Sequence, residues 1–145
     1  MTDLKLLSLD QDDLTILSAH MQDAVFKPGE VDYAARAGIF SVPVNRFVWE
    51  KAKRKDKSFE RRRAVLTLKR VQAVRSIGFD RTDKEQVLSL LAINFVQKGD
   101  GPEGTVELVC AAGATIALDV ECIEVQLADT GGAWETTSRP KHPGA

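Results

Sequence analysis

Three aspartates near the amino terminus, Asp10, Asp12 and Asp13, are the first residues whose type and spacing could bind a metal ion. A calcium loop of the EF-hand type takes oxygen ligands from alternate positions and then needs a glycine and a bidentate glutamate. Here the third alternate position is Leu14, and neither the glycine nor the glutamate follows where it is needed. Asp10 is better interpreted as a helix N-cap, whose carboxylate accepts hydrogen bonds from the free amides of the first turn.

Histidines and cysteines are too few and too scattered to predict a metal or nucleophile site. His20 and His142 are the two histidines, and no pair of them has the i, i+4 spacing of a zinc site. His20 with Asp23 could bind a metal only weakly, so a polar helix residue is the favoured interpretation. Cys110 and Cys122 lack the spacing of a zinc knuckle and predict buried thiols in a reducing compartment.

The glycine-rich segment GDGPEG, residues 99–104, is the remaining motif with a chemical interpretation. A phosphate-binding loop needs converging backbone amides at a helix N-terminus. Pro102 removes one amide, Glu103 adds a negative charge, and a strand pattern follows, so we predict a hairpin loop. We therefore predict no catalytic residue, no metal and no cofactor. An enzyme or small-ligand site assembled from distant residues stays open as an alternative.

Positive charge is concentrated in EKAKRKDKSFERRR, residues 50–63. From residue 51 to residue 63, eight Lys or Arg stand against two acids, a local net of +6, while the whole chain carries −1. Such a cluster beside aromatic residues could contact phosphates and stack on bases, or could contact an acidic protein. A solvated connection whose charges keep an edge strand from pairing with other chains is the third interpretation. The candidate binding residues are Trp49, Lys51, Lys53, Arg54, Lys55, Lys57, Phe59, Arg61, Arg62 and Arg63.

Hydrophobic periodicity predicts a helix near each end of the chain. Leu14, Leu17 and Met21 recur at helical spacing and predict an amphipathic helix over residues 11–22. Val120, Ile123 and Leu127 follow Asp119 at i, i+3 and i+7, which predicts a second helix that ends at Gly131-Gly132. The segment between the helices alternates apolar and polar residues and predicts strands.

Two irregularities interrupt the predicted strands. Residues 40–44 alternate, and Pro43 on the opposite face predicts an edge strand or a bulge, because proline cannot donate to a ladder. At Phe47 the apolar phase shifts by one residue, which predicts a bulge or bend after Asn45-Arg46. Residues 106–118 alternate about a turn at Ala112-Gly113 and predict a hairpin.

These elements predict an α+β fold in one domain. The expected architecture is a curled, mostly antiparallel sheet or partly open barrel of seven to eight strands, with an N-terminal and a C-terminal helix. A pleckstrin-homology-like layout is the alternative. We expect one domain over residues 1–131 and a flexible tail over residues 132–145.

Three blocks of the sequence resemble a known family: LKLLSLDQDDLTILSAHMQDAV, VNRFVWE and LDVECIEVQLADTGGAW. Together they are similar to an alphaproteobacterial family known as domain of unknown function 2948, over about residues 4–134. The resemblance implies a small, standalone, cytoplasmic bacterial protein. It brings no activity, and no site residue is transferred from it.

Localisation and function follow from these features as expectations. The start MTDLKLLSLDQDD has acids where a secretory signal needs cations, and no apolar run reaches the roughly 18 residues of a membrane span. We expect a cytoplasmic, non-enzymatic interaction or regulatory module whose partner is another protein and not a membrane. RNA binding through residues 51–63 is the alternative, although the sequence pI is about 6.1 and nucleic-acid-binding domains often exceed about 9.

Overall fold

The computed structural model describes residues 4–47 and 60–135. Within these ranges the chain forms one α-helix, α1 (Gln11–Met21), and ten strands of a single sheet. The strands are β1 (Lys5–Ser8), β2 (Val25–Phe26), β3 (Asp32–Ala34), β4 (Ile39–Phe47), β5 (Glu60–Leu68), β6 (Val71–Ile77), β7 (Leu88–Gln97), β8 (Gly104–Cys110), β9 (Thr115–Val120) and β10 (Val125–Glu135).

The sheet is open and antiparallel, and a very short strand joins its two halves. Its order is β1-β10-β5-β4-β2-β7-β8-β9-β6, with β3 paired to the start of β4. Val25 of β2 pairs with Asn45 of β4 on one side and with Ser89 of β7 on the other. One half therefore consists of β1, β10, β5 and β4, and the other of β7, β8, β9 and β6.

Helix α1 confirms the N-terminal helix predicted from the sequence. The Asp13 amide donates to Oδ1 of Asp10 at 2.8 Å, so Asp10 is the N-cap. Leu14, Leu17 and Met21 are buried in the core that the inner faces of both half-sheets share. The inward side of α1 meets β7 and the sheet because its apolar residues recur at helical spacing.

The predicted C-terminal helix over residues 120–131 is wrong, because Val120 ends β9 and β10 begins at Val125. Val125 pairs with Leu68 and Leu127 pairs with Leu66 of β5, and both are buried. Buried residues two apart belong to one face of a strand. The backbone groups of β10 form their hydrogen bonds with β5 and β1, although the apolar spacing over this short window also fits a helix. The α+β arrangement with a helix at each end is thus corrected to a mostly antiparallel ten-strand sheet with one α-helix among the described residues.

The pleckstrin-homology-like alternative is also wrong, since it needs a closing helix where β10 lies. The edge strand predicted from Pro43 is wrong as well. Strand β4 pairs with β5 along its length, and its other side meets β3 up to Ser41 and β2 at Asn45. Pro43 lies between these two short partners, a position where a missing N–H is tolerated.

The predicted tail begins at residue 132, and the backbone of residues 132–135 continues β10. Residues 136–145 lie outside the described residues. The predicted hairpin over residues 106–118 is confirmed, because β8 pairs with β9 across the turn at Ala112, with Leu108 opposite Ile116.

Candidate functional site

The predicted basic surface lies at one end of the β4–β5 hairpin. Arg61, Arg62 and Arg63 begin β5 and pair with the end of β4, so residues 48–59 connect the two strands of this hairpin. The other candidates lie outside the described residues: Trp49, Lys51, Lys53, Arg54, Lys55, Lys57 and Phe59.

Strand alternation separates the three arginines. Successive side chains of a strand point to opposite faces of the sheet. Arg62 is 5% exposed and lies on the buried face of β5, followed there by Ala64 and Leu66. Arg61 and Arg63 lie on the outer face. Arg63 is exposed there, whereas Arg61 is half-buried and its Nη1 is shielded from solvent. The charge that the sequence assigns to one surface is therefore divided between the core and the outer face.

Arg62 belongs to a buried ion cluster with Arg46 of β4 and Asp129 of β10. Nε of Arg46 donates to Oδ1 of Asp129 at 2.9 Å, and Nη2 donates to Oδ2 at 3.0 Å. Nη1 of Arg62 lies 3.6 Å from Oδ2 of the same carboxylate. The side chains of Arg46 and Asp129 are 2% and 1% exposed. Arg46 thus binds Asp129 in the bidentate geometry that arginine favours, and Arg62 adds a second positive charge beside the same carboxylate.

Backbone contacts add to the same carboxylate. The Leu4 amide donates to Oδ2 of Asp129 at 2.9 Å, and the Asp129 amide donates to the Leu4 carbonyl at 2.9 Å. Burial by itself raises the pKa of Asp129, but the hydrogen bonds from Arg46 and Leu4 and the charges of Arg46 and Arg62 outweigh it and hold this pKa below its ordinary value. Asp129 is therefore ionised at neutral pH and serves to anchor β1, β4 and β5 around β10.

Sequence reasoning missed Arg46 and Asp129 as structural residues. The bulge predicted after Asn45-Arg46 is wrong, because the β4–β5 register is unbroken from Phe40 opposite Leu68 to Phe47 opposite Arg61. Arg46 simply occupies the next inward position of β4. Its spacing of two from the buried Val44 indicates an inward position, but its charge makes a buried position unexpected from the sequence.

The outer face of the hairpin carries Arg61 and Arg63 opposite Phe47 and Asn45. The Arg61 guanidinium lies over the Phe47 ring, 5.6 Å from its centroid, which is cation–π geometry. Arg63 is exposed and lines a cleft in this face. The two arginines are therefore set on a rigid strand face and do not depend on a loop for their position.

We call this depression the outer cleft; it has a volume of about 510 Å³ and lies between the hairpin and the segments that flank β2. Val25, Pro43 and Val87 contribute apolar lining, and Val87 is 56% exposed. Arg63, Lys27 and Glu30 are the charged residues that line it, and Lys27 is paired with Glu85. The outer cleft therefore combines accessible apolar surface with the positive charge of Arg63.

The remaining candidates for chemistry among the described residues are the Cys110 thiol and the side chains that could bind a metal. Burial raises the pKa of the Cys110 thiol to about 11, so this cysteine is a protonated core residue and a poor nucleophile at neutral pH. Across residues 4–47 and 60–135, no group of three or more His, Cys, Asp and Glu side chains could hold a metal ion. In the same ranges no helix has both the length and the apolar character needed to cross a membrane.

Comparison with known proteins gives a family and nothing more specific. The family model described as "Protein of unknown function (DUF2948)" matches residues 4–142. No curated protein and no solved structure matches the chain. The family resemblance predicted from the three sequence blocks is thus confirmed.

Proposed function

The chain belongs to the DUF2948 family of proteins of unknown function, and we propose that it is a non-enzymatic interaction module for an acidic segment of another protein. The contact surface is the outer face of the β4–β5 hairpin together with the outer cleft. Arg61 and Arg63 supply positive charge from the hairpin, and Val87 with Pro43 supplies the apolar contact. The basic residues between 51 and 57 extend the same charge along the chain.

The observation that carries this proposal is the position of Arg63 beside accessible apolar surface. A rim of charge around an apolar centre is the usual organisation of a protein interface. Outside residues 51–63 the chain has a net charge of −7, because the whole chain carries −1 and this segment carries +6. A localised positive surface on an otherwise acidic chain orients an acidic partner during encounter.

A non-enzymatic role is supported by how the buried ionisable groups are used. Asp129 is engaged by Arg46, Arg62 and the Leu4 amide on the inner face of the hairpin. The Cys110 thiol is buried. The expectation of a cytoplasmic protein belongs to the same proposal, and the two free cysteines support it.

Capture of partners from native lysate tests the proposal when the full tagged chain is compared with two double variants. Arg61→Glu with Arg63→Glu reverses the outer hairpin charge, and we expect it to lose the captured protein, since like charges facing each other cost several kcal/mol. Lys5→Glu with Lys98→Glu makes the same charge change elsewhere on the surface and should retain capture. Equal capture by both variants would show that the hairpin face is not the contact surface.

Nuclease treatment of the lysate separates a protein partner from a nucleic acid. A partner that binds directly stays bound to the unmodified chain after nuclease, which is the result we expect. Loss of all hairpin-dependent capture after nuclease would make RNA the ligand and overturn the choice of a protein partner. In that case the affinity of the purified chain for single-stranded RNA would fall with salt, with a slope of about −0.7 per phosphate contact.

A further inference from the structure

A second cleft, which we call the aromatic cleft, lies between β3 and β6 and is distinct from the outer cleft. It has a volume of about 350 Å³, at the lower end of the roughly 300 to 1,000 Å³ of small-molecule pockets. Tyr33, Phe40 and Phe79 line it, and Phe40 is fully buried. The cleft therefore reaches from the surface towards the apolar core and presents two half-buried aromatic side chains, Tyr33 and Phe79, with Phe40 packed behind them.

The charged side chains that line the aromatic cleft, among the described residues, are both cations: Arg81 and Lys84. Within the described part of the chain neither has an ion-pair partner. The neighbouring Glu85 is engaged elsewhere, because its carboxylate lies 3.5 Å from Nζ of Lys27. Arg81 and Lys84 are thus the charged side chains of the cleft lining among the described residues, on a loop that also carries Asp80 and Asp83.

The loop that carries both cations is held in place by its own hydrogen bonds and by contact with the turn Pro28–Glu30. Oδ1 of Asp80 accepts from the amide and the hydroxyl of Thr82, at 2.9 and 2.7 Å. A Cβ on Gly29 would lie 2.8 Å from the Lys84 carbonyl oxygen, so the turn approaches the loop at a distance that only glycine permits. The backbone that carries Arg81 and Lys84 is therefore set against the cleft before any ligand binds.

We propose that the aromatic cleft binds a small aromatic carboxylate. Its ring packs against Tyr33 and Phe79, where offset or edge-to-face contacts add to the burial of apolar area. Its carboxylate faces Arg81 and Lys84, which form charge-assisted hydrogen bonds with it. This site does not depend on the outer cleft, and it gives the interaction module a place for a small-molecule effector.

Two probes of matched shape test this assignment on the full isotope-labelled chain by amide NMR titration. The first probe is 3-phenylpropionate, and the second is its neutral amide, 3-phenylpropionamide. We expect the carboxylate to bind with a dissociation constant of about 1 mM or lower, with saturable shifts at residues that line the aromatic cleft. The amide should bind about tenfold more weakly, because it loses the charge-assisted contacts.

Two double variants test whether Arg81 and Lys84 are the cations that bind the carboxylate. Arg81→Gln with Lys84→Gln should weaken carboxylate binding about tenfold and leave amide binding unchanged. Lys5→Gln with Lys98→Gln removes the same charge elsewhere and should change neither affinity. The proposal is overturned if the carboxylate gives no saturable shifts at the cleft. It is also overturned if carboxylate and amide bind equally, or if the Arg81/Lys84 variant binds the carboxylate as tightly as the unmodified chain.

Discussion

Arg46 and Asp129 are 83 positions apart in the chain and form a bidentate ion pair that crosses an intervening strand. Strand β5 lies between β4 and β10, and its residue opposite Asp129 is Ala64. The small Ala64 side chain leaves room for the Arg46 guanidinium to pass over β5 on the buried face. Three strands are therefore tied together near the connecting end of the hairpin that carries the proposed contact surface.

Replacing Asp129 with Asn should be strongly destabilising. The variant leaves the buried Arg46 guanidinium without its Asp129 counter-charge and removes one acidic contact of Arg62. Breaking a buried ion pair from one side costs about 3 to 5 kcal/mol. Urea unfolding followed by circular dichroism measures the loss. Asp119→Asn is a matched control, because the Asp119–Arg75 pair is partly exposed, 33% and 52% for the two side chains; it should cost less than about 1 kcal/mol. Equal losses would contradict the structural role of Asp129.

Acid should remove the stability that the ionised Asp129 contributes. The pKa of Asp129 is lower in the folded chain than its ordinary value of 3.8, so in that pH window the unfolded chain binds more protons and stability increases with pH. The stability that Asp129 contributes is complete when the pH is above its ordinary pKa, and it is lost as the pH falls through its pKa in the folded chain. We therefore expect the difference in unfolding free energy between the unmodified chain and Asp129→Asn to shrink as pH falls below about 4. A difference that stays constant down to acid denaturation would contradict this.

Enlarging Ala64 should disturb the crossing of Arg46 over β5. Ala64→Leu adds volume at a position that is 1% exposed, and overpacking of this kind costs about 1 to 3 kcal/mol. Thermal unfolding of this variant is best compared with that of Val65→Leu, at the neighbouring half-buried position on the opposite face of β5. A smaller loss for Ala64→Leu than for Val65→Leu would show that the buried face has unused space.

The arginine triplet should respond unequally to charge reversal. Arg62→Glu places a carboxylate against Asp129 in the buried cluster and should prevent stable folding. Arg63→Glu acts on the exposed face, and we expect a change in unfolding free energy of less than about 1 kcal/mol. Circular dichroism and thermal unfolding of the two single variants measure this contrast. A stable Arg62→Glu protein would show that the Arg62–Asp129 contact contributes little.

The two thiols should differ in reactivity. Cys110 is buried and its pKa is raised to about 11, whereas Cys122 is only partly buried. Because the thiolate is the reactive form, Cys122 should react with Ellman's reagent in the folded protein while Cys110 reacts only after denaturation. Cys122→Ser should therefore show almost no native-state reaction. Rapid labelling of Cys110 in that variant would indicate local opening of the β8–β9 hairpin.

Elements that depend on neighbours in sequence were predictable. The α1 helix follows from its Asp10 cap and from apolar residues at helical spacing, and the β8–β9 hairpin follows from alternation about a short turn. Strand β10 was not predictable in this way. Its apolar residues fit a helical period over a short window, and pairing with β5, more than fifty residues earlier in the chain, decides the conformation.

The candidate site likewise combines features that are local in the sequence with features that depend on the fold. The capped helix, the β8–β9 hairpin, the family and the concentration of basic residues from 51 to 63 can all be read from the amino-acid sequence. The burial of Arg62 against Asp129, with Arg61 and Arg63 on the outer face, follows from the folded sheet alone. The physical reason is that charge and short periodicity are local properties of a chain. Burial and ion pairing depend on strands that come together from distant positions.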